Sequence, residues 1–211
     1  MKTCQNFEKE LPKNYNQKLY LNAKNVKLGL ILNLISLIVF VGIAAISVAF
    51  VPFDERWGTL SVDELLEVLI KISLFFIAFA LLIAVYLVLH ELVHGLFYKR
   101  MTGEKLTFGI SWSCAFCGVP NIYVYRKTAL ISSSAPLVIF TVILMPLTAI
   151  LYFVNTAAYL LSAFVFGMHL GGCAGDIYVI LLLCFKYKNP KTLVRDSGPE
   201  QFFYVPETIS E

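Results

Sequence analysis

The sequence predicts an all-α membrane protein of four transmembrane helices, with a cytoplasmic-side β-hairpin between helices two and three, in one integral membrane domain over 1–211. Three observations carry that prediction. The 211 residues are 58% apolar and only 15% charged, and the mean hydropathy of +0.75 is far above that of a soluble domain. Four apolar stretches reach the roughly 20 residues a helix needs to cross a bilayer, where the backbone must satisfy its own hydrogen bonds. Lys and Arg gather in alternate connections between those stretches.

The first 25 residues are polar and Lys-rich and read as a cytoplasmic arm. Helix one, about 28–50, is too long for the core of a cleaved signal and is expected to stay as an anchor. Helix two covers about 72–98, with Glu67 and Lys71 spaced as a surface pair at its outer end. Lys105-Leu-Thr-Phe-Gly-Ile-Ser-Trp112 then alternates polar and apolar residues, which predicts a strand, and Asn121 to Tyr125 is a second β-rich run. Ser113 to Pro120 reads as the connector of a hairpin.

Helix three, about 129–154, opens on Ser132-Ser-Ser-Ala-Pro136, small residues suited to close packing, and carries Pro146 as an expected kink. A short turn at Asn155 and Thr156 makes it an antiparallel hairpin with helix four, about 158–185, and residues 186–211 form a cytoplasmic tail.

Fifteen of the 17 basic residues precede helix one, lie between helices two and three, or follow helix four. The other two, Arg56 and Lys71, sit among Asp54, Glu55, Asp63, Glu64 and Glu67. Both termini and the loop from Lys99 to Thr128 are therefore expected in the cytoplasm. This bias also accounts for the net charge of +3, as an adaptation to an anionic leaflet, and no basic-aromatic interleaving points to nucleic acid. Cys4, Cys114, Cys117, Cys173 and Cys184 fall in the cytoplasm or the membrane, where disulfides are not expected. Cys114-x-x-Cys117 without companion ligands reads as ordinary thiols in a turn.

The chemistry concentrates in His90-Glu91-Leu-Val-His94. A spacing of four on a helix turns both imidazoles to one side, where they can grip one ion, and sets Glu91 beside it as a general base. Three ionisable groups in an apolar helix are costly unless paired, which argues for function over chance. Zinc needs a third ligand, and of the acids downstream only Asp176 lies in a membrane helix. At about 1.5 Å per residue His90 and His94 stand roughly 6 to 12 Å from the cytoplasmic end of their helix and Asp176 roughly 14 Å from its own. Gly171, Gly172 and Gly175 would let helix four approach helix two, or loosen its backbone, at that level. His169, two turns before Asp176, reads as a packed histidine or one that supports a ligand.

With these residues placed, the stretch from Leu82 to Pro206 resembles the zincin peptidases found among small bacterial membrane proteins, through His-Glu-Leu-Val-His-Gly95, Gly-Gly-Cys-Ala-Gly-Asp176 and Val194-Arg-Asp-Ser-Gly-Pro-Glu-Gln-Phe-Phe-Tyr-Val-Pro206. It is distantly similar to the site-2 intramembrane metalloproteases, a resemblance that carries the third-ligand role to Asp176. The context here is Gly-Asp-Ile in place of the usual Leu-Asp-Gly. Ser134-Ala-Pro-Leu137 resembles that family's small-residue turn. Its asparagine-rich motif is not evident, and Asn121 is the residue that could do similar polar work. The soluble metzincins are excluded, because their Gly and third His would fall on Phe97 and Arg100.

The expected activity is that of a zinc metallopeptidase in a bacterial cell membrane, acting on membrane or membrane-adjacent peptides near the cytoplasmic face. Its site would be Glu91 as catalytic base with zinc on His90, His94 and Asp176. The rival expectation is a non-catalytic membrane protein, regulatory or transporter-associated, with a structural zinc or none.

Overall fold

The computed structural model describes residues 6–22, 25–51, 61–110 and 115–207. Cys4, Asp54, Glu55, Arg56, Trp112, Ser113 and Cys114, singled out above, lie outside the described residues. Among the described residues four helical spans are long and apolar enough to cross a membrane. They are α1 (Val26–Ala49), α2 (Val62–Thr102), α3 (Arg126–Tyr152), and a fourth built from α4 (Thr156–Gly172), α5 (Ala174–Leu181) and a π-helical turn at Leu182–Lys186.

The helix boundaries follow from caps. Asn25 accepts the Lys27 and Leu28 N–H groups at the start of α1, and Asn155 accepts that of Ala158 at the start of α4. Ser61 and Glu64 form a reciprocal capping box, so α2 begins at Val62, well before the expected residue 72. Its extra turns carry Asp63, Glu64 and Glu67, too polar to count as membrane span. The Glu67–Lys71 pair there is formed at 2.6 Å, with both side chains exposed. At the other end Lys99 and Arg100 face the negative pole of the helix, and Gly103 closes it at φ 72°. No residue in the most apolar stretch of α1 is buried by protein, so lipid is the natural cover for its Leu30, Leu34 and Ile38. Pro136 and Pro146 both lie inside the continuous α3.

Two expectations about the fourth span change. It is not one helix, since α4 ends at Cys173 and α5 restarts there, which puts Asp176 in a first turn. Of the two roles expected for its glycines, a loosened backbone agrees with this break between Gly172 and Ala174, but the close approach is not to α2. A Cβ on Gly171 would stand 2.6 Å from the Ser36 carbonyl oxygen, so this glycine lets α4 close on α1. Gly172 and Gly175 have nothing within 4 Å of such a Cβ and leave open space beside Asp176.

The strands also depart from expectation. β3 (Thr107–Ile110) forms where a strand is expected, but it pairs with β4 (Ala115–Gly118), which lies in the expected connector. The second β-rich run, β5 (Tyr123–Tyr125), instead joins an antiparallel five-stranded sheet ordered β1 (Phe7–Glu8), β5, β6 (Leu193–Asp196), β7 (Glu200–Pro206), β2 (Tyr15–Asn22). That sheet draws β1 and β2 from the supposed arm, and β6 and β7 from the supposed tail. Tyr15 to Asn22 runs along β7 from Pro206 to Glu200, with a bulge between Gln17 and Leu19. Neither segment is a free tail. Pairing between segments that are far apart in the chain leaves little local signal, because each strand gains its partner only when the ends meet.

One core joins the sheet to the helix ends. Val124, Val194 and Phe203 from the sheet, with Val119 and Ile122, pack on Tyr98, Ala129, Val179, Leu183 and Tyr187. Rigid packing at this end holds the adjoining turns of α2, α3 and α5 in register.

Candidate metal centre

Its placement follows from helix geometry. His90 and His94 share one face of α2, and their rings stand 4.9 Å apart at 72°. Across from them, the restart of the fourth span at Cys173 delivers Asp176. Its Oδ2 lies 3.1 Å from His90 Nε2 and 3.3 Å from His94 Nε2. One atom from each of the three residues falls within 4.8 Å of the other two. The structure thus brings together the three side chains named as candidate zinc ligands.

The far nitrogens are already engaged. His94 Nδ1 is 2.9 Å from the Ser132 carbonyl oxygen. A carbonyl only accepts, so Nδ1 carries the proton of the neutral ring and Nε2 keeps its lone pair toward Asp176. The Ser132 hydroxyl donates back to the His94 carbonyl at 3.2 Å, which ties α3 to the motif. His90 Nδ1 meets the Tyr86 hydroxyl at 2.8 Å. Both histidines are buried, while Glu91 and Asp176 are half-buried and line a cavity of about 200 Å³. That cavity reaches β4 at Ala115, Phe116 and Cys117, and the β6–β7 turn at Gly198 and Pro199. The Glu91 carboxylate faces the Cys117 backbone N–H.

This donor set fits zinc. Two imidazole nitrogens and a carboxylate suit that ion, and three protein ligands leave a fourth position for water or substrate. The lone pair of His94 is presented by the bond on its other nitrogen, the usual support for ligating imidazoles.

A family model described as "Putative zincin peptidase" matches residues 82–190, more than half of the chain. The chain belongs to this family. Membership implies zinc and a metallopeptidase, in agreement with the resemblance read from the motif. The matched stretch contains His90, Glu91, His94, His169 and Asp176. No curated protein and no solved structure matches the chain.

Other candidates fall elsewhere. Asn121 is exposed in the turn before β5 and does not line the cavity. Cys117 is a buried free thiol, and burial pushes it up to about 12, which keeps it protonated. His169 is fully buried and meets the same Tyr86 hydroxyl as His90, at 2.9 Å. Tyr86 carries no motif of its own, although its place four residues before His90 puts it on the motif's face. Asp196, set aside as a ligand because it lies outside the membrane helices, lines the cavity from β6 and accepts from the Tyr98 hydroxyl at 2.8 Å and the Gly198 N–H at 2.9 Å. One turn beyond His94, Tyr98 was visible as a polar group in the same stripe. Its partner, 98 residues away, was not.

Proposed function

We propose that this protein is a membrane-embedded zinc metallopeptidase that cleaves membrane or membrane-adjacent peptides near the cytoplasmic face. The observation that carries the reading is the convergence of His90 Nε2, His94 Nε2 and Asp176 Oδ2 inside membrane-length helices, with Glu91 beside them in the same cavity. Ionisable groups at such a depth are costly without a partner, and an ion bound by all three supplies one.

Bound there, zinc supplies a Lewis acid that makes water a stronger nucleophile and polarises a peptide carbonyl. His90, His94 and Asp176 hold it. Glu91, set off their face of α2, takes the proton of the attacking water on its carboxylate. As the water oxygen bonds to the carbonyl carbon and the C–N bond breaks, Glu91 returns that proton to the departing amine nitrogen. Among the described residues β4 pairs with β3 alone, and its residues reach the cavity. Its other edge is a place for an extended substrate to add as a strand next to Glu91. The basic residues flanking the sheet support a cytoplasmic position for this end, in a bacterial cell membrane.

The test is zinc analysis of the purified protein together with cleavage of small membrane proteins from cells. Wild type is expected to hold close to one zinc, His94→Ala to lose it, and Glu91→Gln to keep it while cleavage drops by about 10²-fold or more. Zinc without any Glu91-dependent product would favour a structural metal, and protein without zinc would end the metallopeptidase reading.

A further inference from the structure

A line of hydrogen bonds leaves His90 on the side turned away from Asp176 and crosses three helices. The Tyr86 hydroxyl lies 2.8 Å from His90 Nδ1 and 2.9 Å from His169 Nδ1. His169 Nε2 lies 3.0 Å from Thr141 Oγ1. α2 supplies Tyr86 and His90, α4 supplies His169 and α3 supplies Thr141. Tyr86 is 6% exposed, His90 7% and His169 0%, so bulk water cannot complete a bond the line leaves open.

Setting one end of such a line orients the rest, provided the Tyr86 proton goes to His169 and not to the Cys173 thiol, whose Sγ lies 3.7 Å from His169 Nδ1. A neutral imidazole carries one N–H and one lone pair, and a phenol has one proton to donate. If His90 Nε2 offers its lone pair to a metal, Nδ1 must donate to the Tyr86 oxygen. Tyr86 then donates to His169 Nδ1, and His169 donates from Nε2 to Thr141.

We propose that Tyr86 and His169 are positioning residues of the metal centre, which hold His90 in the Nδ1–H form with its Nε2 lone pair aimed at the ion. The proposal rests on the reading of His90 as a zinc ligand. It gives His90 a support of its own, separate from the Ser132 carbonyl that orients His94. His90, His169 and Cys173 also have ligand atoms within 4.8 Å of one another. The Tyr86 hydroxyl bonds to both Nδ1 atoms, however, and fills the position that a second ion would need.

The chain has only three histidines, all in this cluster, so ¹⁵N-histidine NMR of the zinc-loaded protein can be assigned by single substitutions. The expected pattern is Nδ1–H for His90 and His94 and Nε2–H for His169. Zinc affinity, measured by chelator competition, is expected to fall about 10- to 100-fold in Tyr86→Phe and in His169→Leu. His169→Gln should stay close to wild type, since its amide oxygen can accept from Tyr86 and its amide N–H can donate to Thr141.

A role confined to packing would lower thermal stability in all three variants without that rescue and without a change in tautomer. Wild-type affinity in Tyr86→Phe and His169→Leu, with zinc still lost in His94→Ala, overturns the positioning role and leaves the metal centre standing. Zinc retained in His94→Ala overturns both. Two zinc ions per chain, one of them lost in Cys173→Ser, would replace the hydrogen-bonded line by a second metal site. Should Tyr86→Phe fail to fold, an Nδ1–H tautomer of His169 in the wild type is enough to overturn the proposal.

Discussion

Asp196 is a carboxylate 4% exposed with no cation among the described residues bonded to it, and burial pushes it up to about 6 from the ordinary 3.8. Its partners are the Tyr98 hydroxyl, the Gly198 N–H and, at 3.3 Å, the Gln201 amide. The folded protein therefore keeps a proton between about pH 4 and 6 that the unfolded chain has already released. Stability from this group falls as pH rises through that window and stays lower above it, by at most about 3 kcal/mol. Asp196→Asn should remove that slope. Melting temperatures in detergent from pH 4 to 7 check this, and a gap between variant and wild type that does not vary with pH would refute it. At this scale His90, Glu91, His94 and Asp176 were legible, because charged groups in apolar stretches stand out. Tyr86 and His169 were harder to read, since an aromatic or a lone histidine in such a stretch is ordinary until a partner 83 residues away is placed beside it.

Among the elements, the fourth span departs most from its sequence pattern. Its hydropathy reads as one helix, but the chain breaks at Cys173 and resumes as α5, and this sets the direction of Asp176. Gly171, just before the break, holds α4 against the backbone of α1 at Ser36. Gly171→Ala is expected to push these helices apart and to cost about 1–3 kcal/mol. A fall in thermal stability should follow, larger than that for Gly172→Ala, whose Cβ would meet open space. Equal effects of the two substitutions would show that the α1–α4 contact is not what Gly171 protects. The hairpin shows another limit of pattern reading. Alternation found β3, but the identity of its partner depended on how closely β4 and β5 could approach other elements.

For the molecule as a whole, the five-stranded sheet combines segments that precede α1, that lie between α2 and α3, and that follow the last helix. All three must lie at the same end of the helices, which agrees with the distribution of Lys and Arg. Cysteines introduced at the exposed Lys13 and Lys188 should react with an impermeant maleimide only from the cytoplasm, and one at the exposed Asp63 only from outside. Reaction of Lys13→Cys and Lys188→Cys from opposite sides would contradict both the sheet and the charge argument. By itself, the sequence determined the four spans, their alternating charge and the two-histidine motif with its acid. These depend on composition and local spacing, since lipid selects apolar length and a helix repeats every 3.6 residues. Only the tertiary structure decided that the polar ends close into one sheet, that β4 faces Glu91, and that Tyr86 links two histidines. Those contacts join residues far apart in the chain, and their energy exists only once packing has excluded water from between them.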